Sequence, residues 1–150
     1  MLDHNWIAAH IPHAGTMCLL DCVVDWSDEH ISCIATSHTR ATNPLRAADR
    51  LGATAGIEYA AQAMAAHGAL CAEVGKEPRA GLLTSLRGVL LHRPRLDDLP
   101  GDLAVFAERL SGNAGTVLYH FVVSYGTERL VEGRATVVLD ATTVDPEKRA

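Results

Sequence analysis

The stretch Ala53-Thr54-Ala55-Gly56-Ile57-Glu58-Tyr59-Ala60-Ala61-Gln62-Ala63-Met64-Ala65-Ala66-His67-Gly68-Ala69-Leu70-Cys71-Ala72 decides the fold. It holds no proline and is rich in Ala, Met and Leu, the residues that lose least on entering a helix. The composition predicts a helix over 53–74. Its strongly polar side chains up to Ala72 are Glu58, Gln62 and His67, and a helix apolar all round is buried all round. The many small residues let neighbouring backbone approach closely, so something must wrap this rod.

The wrapping is read downstream. Segments 79–92, 103–110, 116–125 and 130–139 carry strand character, and the third alternates through Val117, Tyr119, Phe121, Val123 and Tyr125. Turn signals separate them at Pro100-Gly101-Asp102, Ser111-Gly112-Asn113 and Gly126-Thr127-Glu128. Upstream, Val23-Val24 and Ile31 to Ile34 flank a Ser27-Asp28-Glu29 turn and predict a hairpin. Segment 37–52, polar and broken by Pro44, reads as a loop of the kind that often carries function. Short hairpin connections favour antiparallel pairing, so the expectation is an α+β domain with a long central helix wrapped by a curved antiparallel β-sheet.

The 150 residues suffice for one domain, expected over 1–150, with 140–150 as a frayed tail. The 48% hydrophobic content excludes a disordered chain, and the charge of −5 gives no global field for nucleic acid or an anionic membrane. No stretch reaches the length of a membrane span. The start, Met1-Leu2-Asp3-His4-Asn5-Trp6, lacks a basic region, and four cysteines without a Cys-x-x-Cys pair suit reduced thiols, so the expected location is cytoplasmic. His10-x-x-His13 has half of a metal-ligand spacing but no third ligand nearby, and neither a metal nor another cofactor is expected.

Glu58 asks for an explanation, because an ionised carboxylate on an apolar helix must be paired, hydrogen-bonded or protonated. Three readings stand: a partly solvated Glu favoured by the helix start, a catalytic acid or base, and a buried ion pair with an arginine across a subunit interface. Gln62 lies one turn on, within hydrogen-bonding reach, while His67 falls half a turn out of phase and should face elsewhere. Backbone N–H groups near Gly52, Ala53 and Thr54 would point into the region Glu58 faces and polarise a carbonyl there. Such donors beside an acid suit chemistry on a thioester or ester.

Ile11-Pro12-His13, the run Leu19 to Trp26, Glu58-Tyr59-Ala60-Ala61-Gln62-Ala63, Pro100-Gly101-Asp102 and Glu132-Gly133-Arg134-Ala135-Thr136 together resemble the hotdog-fold 3-hydroxyacyl-[acyl carrier protein] dehydratases. Asn43-Pro44-Leu45-Arg46 and the segment Gly56 to Gly68 are more similar still to the dehydratase-like proteins of aryl-polyene and xanthomonadin-type pigment clusters. The resemblance implies a hotdog fold, dimers joined sheet edge to sheet edge, and removal of water from 3-hydroxyacyl thioesters on an acyl carrier protein. It implies Glu58 as the acid, and Gln62, Gly52, Ala53 and Asn43 beside the substrate.

The family's His-Phe-Pro motif is absent. Pro44 stands where its histidine would fall, and the nearest upstream histidine is His38. Either His38 is the base or a second hotdog chain brings one, and the partner is then another copy or a different hotdog chain. An acyl thioesterase of the same fold, or a half-site subunit of a heterodimeric dehydratase, remains an alternative. Arg79, Arg87, Arg93 and Arg95, with His92 and no acid between them, form a local basic run suited to a phosphopantetheine phosphate or an acidic carrier surface, or else a solvated strand face. Trp6, Trp26, Tyr59 and Tyr119 are candidates for an acyl tunnel, with core packing the ordinary alternative.

Overall fold

A computed structural model of the chain describes residues 1–72, 81–113 and 115–139. Helix α1 (His4–His10) precedes β1 (Cys22–Trp26) and β2 (His30–Ala35), followed by α2 (Ala55–Cys71) and the strands β3 (Gly81–Leu91), β4 (Leu103–Gly112), β5 (Thr116–Tyr125) and β6 (Glu128–Leu139). Among the described residues six strands form one sheet, in the order β1-β2-β4-β5-β6-β3. Every neighbouring pair is antiparallel.

The sheet curls round α2. Tyr59, Ala60, Ala63 and Ala66 are fully buried against it, with Leu103, Ala107, Phe121 and Val123 among the sheet residues of the same core. Contact is closest at Gly56, where a Cβ would sit 2.8 Å from Val131 Cγ2, so only glycine lets the helix lie this near β6. The fold follows the expected architecture, but α2 is shorter than the composition implies, and positions 73 and 74 of the predicted helix lie outside the described residues. The tail at 140–150 lies outside them too. Strand β4 runs through Ser111 and Gly112, which had read as a turn, because Asn113 Oδ1 instead caps the Gly115 and Thr116 amides.

The helix is not buried all round. Glu58, Ala61, Ala65 and Gly68, successive positions on one face, are only half-buried and open on a cavity. That stripe is supplied with a second wall by α1, a helix the sequence pattern does not announce. Asp3 starts it by accepting the Trp6 N–H at 2.9 Å, and fully buried Ile7 anchors it. At the other end of the sheet β3 is a free edge, pairing among the described residues only with β6. It keeps Leu82, Leu86, Leu90 and Leu91 exposed.

Candidate active site

The path from α1 to β1 carries His13 back across the face of α2. There His13 Nε2 meets Glu58 Oε1 at 2.9 Å, with the two side chains 25% and 33% exposed. His13 Nδ1 is buried and has no hydrogen-bond partner among the described residues. Both groups line a cavity of about 620 Å³ whose walls are mostly apolar: Ile11 and Pro12 from the α1 side, Ala61, Met64, Ala65 and Gly68 from α2, and Leu83, Tyr119 and Val137 from the sheet. A carboxylate and an imidazole at the side of an apolar cavity of this size are the usual anatomy of a small-molecule site.

Gln62 holds the arrangement together. Its Oε1 accepts the Leu19 N–H at 2.9 Å, and its Nε2 donates to Met17 O at 2.6 Å. The same amide approaches Glu58 Oε1 at 3.5 Å. Fully buried and outside the cavity wall, Gln62 braces the segment after His13 and steadies Glu58.

The histidine beside Glu58 is therefore His13, not His38. The 3₁₀ turn Ser37–Thr39 is tied inward by Ser37 Oγ, which donates to Leu19 O at 2.8 Å and contacts Tyr59 Oη at 2.7 Å. This turns His38 into the core, where its ring nitrogen Nε2 donates to Leu99 O at 2.9 Å with the residue 1% exposed. Asn43 is spent in the same cluster, donating to Ser37 O and Tyr59 Oη while its Oδ1 accepts the Leu45 N–H. Burial raises the Tyr59 phenol above its ordinary range, against the lowering pull of those two hydrogen bonds.

Gly52 and Ala53 are also displaced from Glu58. A bridge between Gly52 and Arg95 pins the helix start, and the Ala53 N–H donates to Pro94 O at 3.1 Å. With Thr54, His92 and Arg93 they line a separate cavity of about 450 Å³. The basic run is laced with carboxylates, Asp97 and Asp98 close by in sequence and Glu128 and Glu132 from β6. Arg93 reaches Asp98 and Glu128 at 3.3 and 3.5 Å, Arg95 binds Asp97, and His92 meets Glu132 at 2.9 Å. The Arg95 hydrogen bond holds the Asp97 carboxyl well below the usual range, and His92 lowers Glu132 in the same way. Arg87 stays exposed, and Arg79 lies outside the described residues.

His10 stacks on Trp6 and bonds Trp6 O through Nδ1 at 2.7 Å, and it lines the same cavity as His13. Of Trp6, Trp26, Tyr59 and Tyr119, it is Tyr119 that lines the cavity. Tyr59 is fully buried, Trp26 is exposed, and Trp6 covers His10. His67 faces away from Glu58, as its helical phase requires, and contacts Tyr119 Oη and Ser27 O. The four cysteines are free, and burial pushes the Cys33 thiol up to about 12. No described helix is long and apolar enough to cross a membrane.

A curved antiparallel sheet wrapped round one helix, with a carboxylate and a histidine facing an acyl-sized cavity, defines a hotdog-fold protein. The chain belongs to the ApeP-like family, whose model, described as ApeP dehydratase, matches residues 6–146. It is a hotdog-fold dehydratase of the aryl-polyene type, which bears out the likeness carried by residues 43–46 and 56–68. The fold is similar to "The Dehydratase Heterocomplex ApeI:P from Xenorhabdus doucetiae", at 24% identity and a TM-score of 0.74, over 89% of this chain and 90% of that one. A thioesterase mutant from Pseudomonas aeruginosa is 15% identical with a TM-score of 0.64, covering 91% of this chain and 93% of its own. A thioesterase from Haemophilus influenzae is 12% identical with a TM-score of 0.56, covering 78% and 76%. No curated protein matches the chain at a significant level.

Proposed function

We propose that the chain dehydrates 3-hydroxyacyl thioesters held on an acyl carrier protein to trans-2-enoyl thioesters, with His13 and Glu58 as the proton-transfer pair. The 2.9 Å contact between His13 Nε2 and Glu58 Oε1 at the acyl-sized cavity carries the proposal. One proton is shared across that contact. When it rests on Glu58, His13 Nε2 holds a lone pair that takes the α proton of the substrate. Glu58 gives its proton to the β-hydroxyl, the carbon–oxygen bond breaks, and water leaves as the α,β double bond forms. The proton gained by His13 then returns to Glu58 and the pair is reset. No metal or redox group takes part in these steps, which are proton transfers.

The partner is a second hotdog chain seated along β3. An exposed edge strand bearing Leu82, Leu86, Leu90 and Leu91 is the kind of surface that proteins cover. The similar ApeI:P structure is by name a heterocomplex, which favours a different hotdog chain over a second copy. A cytoplasmic location fits substrates carried on acyl carrier protein.

The test is mass spectrometry of a 3-hydroxyacyl carrier protein incubated with the chain, alone and with a companion hotdog chain. Loss of one water with the thioester intact supports the proposal. Release of the free carrier thiol would assign a thioesterase, and an unaltered substrate in both mixtures would refute the activity.

A further inference from the structure

The hairpin of β1 and β2 brings a serine, a histidine and a carboxylate into one line. Ser27 Oγ lies 2.8 Å from His30 Nδ1, and His30 Nε2 lies 2.8 Å from Asp25 Oδ2. None of the three lines the cavity that holds Glu58 and His13.

The hydrogens along this line can be placed. The bond from His30 holds the Asp25 carboxyl below its ordinary range, so the group is ionised and can only accept. His30 Nε2 therefore carries the ring hydrogen, and Nδ1 is a lone pair. Ser27 must donate to that lone pair, while its oxygen accepts the Glu29 N–H at 3.1 Å. A hydroxyl aimed at an imidazole that a carboxylate orients is the arrangement that activates serine for attack on a carbonyl carbon. The ring is turned end for end relative to the usual triad, in which serine meets Nε2, but each group keeps its role.

The serine is held from both sides. Its N–H donates to His30 O at 2.9 Å, and its carbonyl accepts His67 Nε2–H, from α2, at 2.8 Å. The His30 ring lies over Phe106 of β4, with centroids 6.1 Å apart at 28°. Helix and sheet thus brace the nucleophile and its base.

We propose that Ser27 is the nucleophile of a second catalytic site, with His30 as its base and Asp25 as a positioning residue, and that this site hydrolyses small aryl esters. The exposure of the site selects that class. The Asp25 side chain is 70% exposed, so water receives the developing oxyanion and only esters with a good leaving group react. Trp26 and Val24, 40% and 41% exposed, offer an apolar surface to the aryl ring. Ser27 Oγ bonds to the acyl carbon as its proton passes to His30 Nδ1. The bond to the aryloxy oxygen breaks, and the departing phenoxide takes that proton. Water then bonds to the acyl carbon and gives a proton to His30, which returns it to Ser27 as the carboxylic acid leaves. Neither Glu58 nor His13 enters these steps.

The test treats the folded chain with an alkyl fluorophosphonate, which traps activated serines, and maps the modified peptide by mass spectrometry. Ser27 should carry the label, and His30→Gln should slow labelling about 10²-fold. With para-nitrophenyl acetate, Ser27→Ala should lose nitrophenol release while dehydration of a 3-hydroxyacyl carrier protein is unchanged. Nitrogen NMR should find the His30 hydrogen on Nε2 in the wild type and shared between both nitrogens in Asp25→Asn. An unlabelled Ser27 in the wild-type chain overturns the proposal, whether or not any variant folds. Labelling as fast in His30→Gln, or a wild-type ring hydrogen on Nδ1, overturns it too. Label lost in Glu58→Gln would place the reaction in the cavity and likewise overturn it.

Discussion

Gln62→Met separates two roles for the glutamine that the sequence set beside Glu58. The replacement is close in volume, so packing changes little. It deletes an acceptor for the Leu19 N–H at 2.9 Å and a donor to Met17 O at 2.6 Å. Two hydrogen bonds contribute about 1 kcal/mol each, and stranding the buried Leu19 amide adds about 1–3 kcal/mol. The expected loss is about 3–5 kcal/mol, or a fall in Tm of about 10 °C or more for a chain of this size. Urea denaturation should show a lower midpoint with an unchanged slope. Turnover should also fall through kcat, because the steadying contact to Glu58 at 3.5 Å is gone. A raised KM with wild-type stability would refute this reasoning and return Gln62 to the substrate.

Gly56→Ala gains about 1 kcal/mol in helix propensity but drives a methyl group to 2.8 Å from Val131 Cγ2. Overpacking of a stiff branched neighbour costs about 1–3 kcal/mol, so net destabilisation of about 1 kcal/mol is expected in a thermal melt. His67 is lowered first by burial, then by Arg109 and His30, against the raising effects of the Ser27 carbonyl and Asp28. Its folded state therefore resists protonation. That contribution is complete above the ordinary value of 6.5 and drains away as pH falls below it, so His67→Asn should flatten the pH dependence of stability in that range. Asp97, lowered chiefly by Arg95, contributes stability in full above the ordinary carboxylate pKa of about 4 and loses it as pH falls toward the depressed folded value. Asp97→Asn should shallow the acid limb of an unfolding titration without altering the neutral baseline slope.

The fold was legible because its signals are local. Alanine-rich sequence between Thr54 and Cys71 and period-two alternation in Thr116–Tyr125 each act within a few residues. Glu58 stood out by the cost of placing a carboxylate on an apolar helix. The helical phase of His67 put it on another face than Glu58, where it meets Tyr119 and Ser27. The partner of Glu58 was not legible in the same way. His13 reaches it only because α1 and the following 3₁₀ turn Gly15–Met17 fold back over α2, a tertiary path that no periodicity encodes. The local signal for it is Pro12-His13, part of the family likeness. His38 and Asn43 misled because they occupy a polar loop. His38 Nε2 is taken by Leu99 O and the Asn43 amide by Ser37, Tyr59 and Leu45, which makes the segment a buried clasp. In the arginine run, Asp97 and Asp98 follow directly in sequence, whereas Glu128 and Glu132 reach it only through the sheet.

Dehydration rates of His13→Gln, Glu58→Gln and the double variant, each shown by circular dichroism to be folded, give the most direct reading of the pair. General acid–base groups contribute about 10²- to 10⁴-fold, so each single variant should lose turnover in that range. Since the two act as one unit, the double variant should be no slower than the slower single. Water loss within a few-fold of wild type in either single variant would contradict the account.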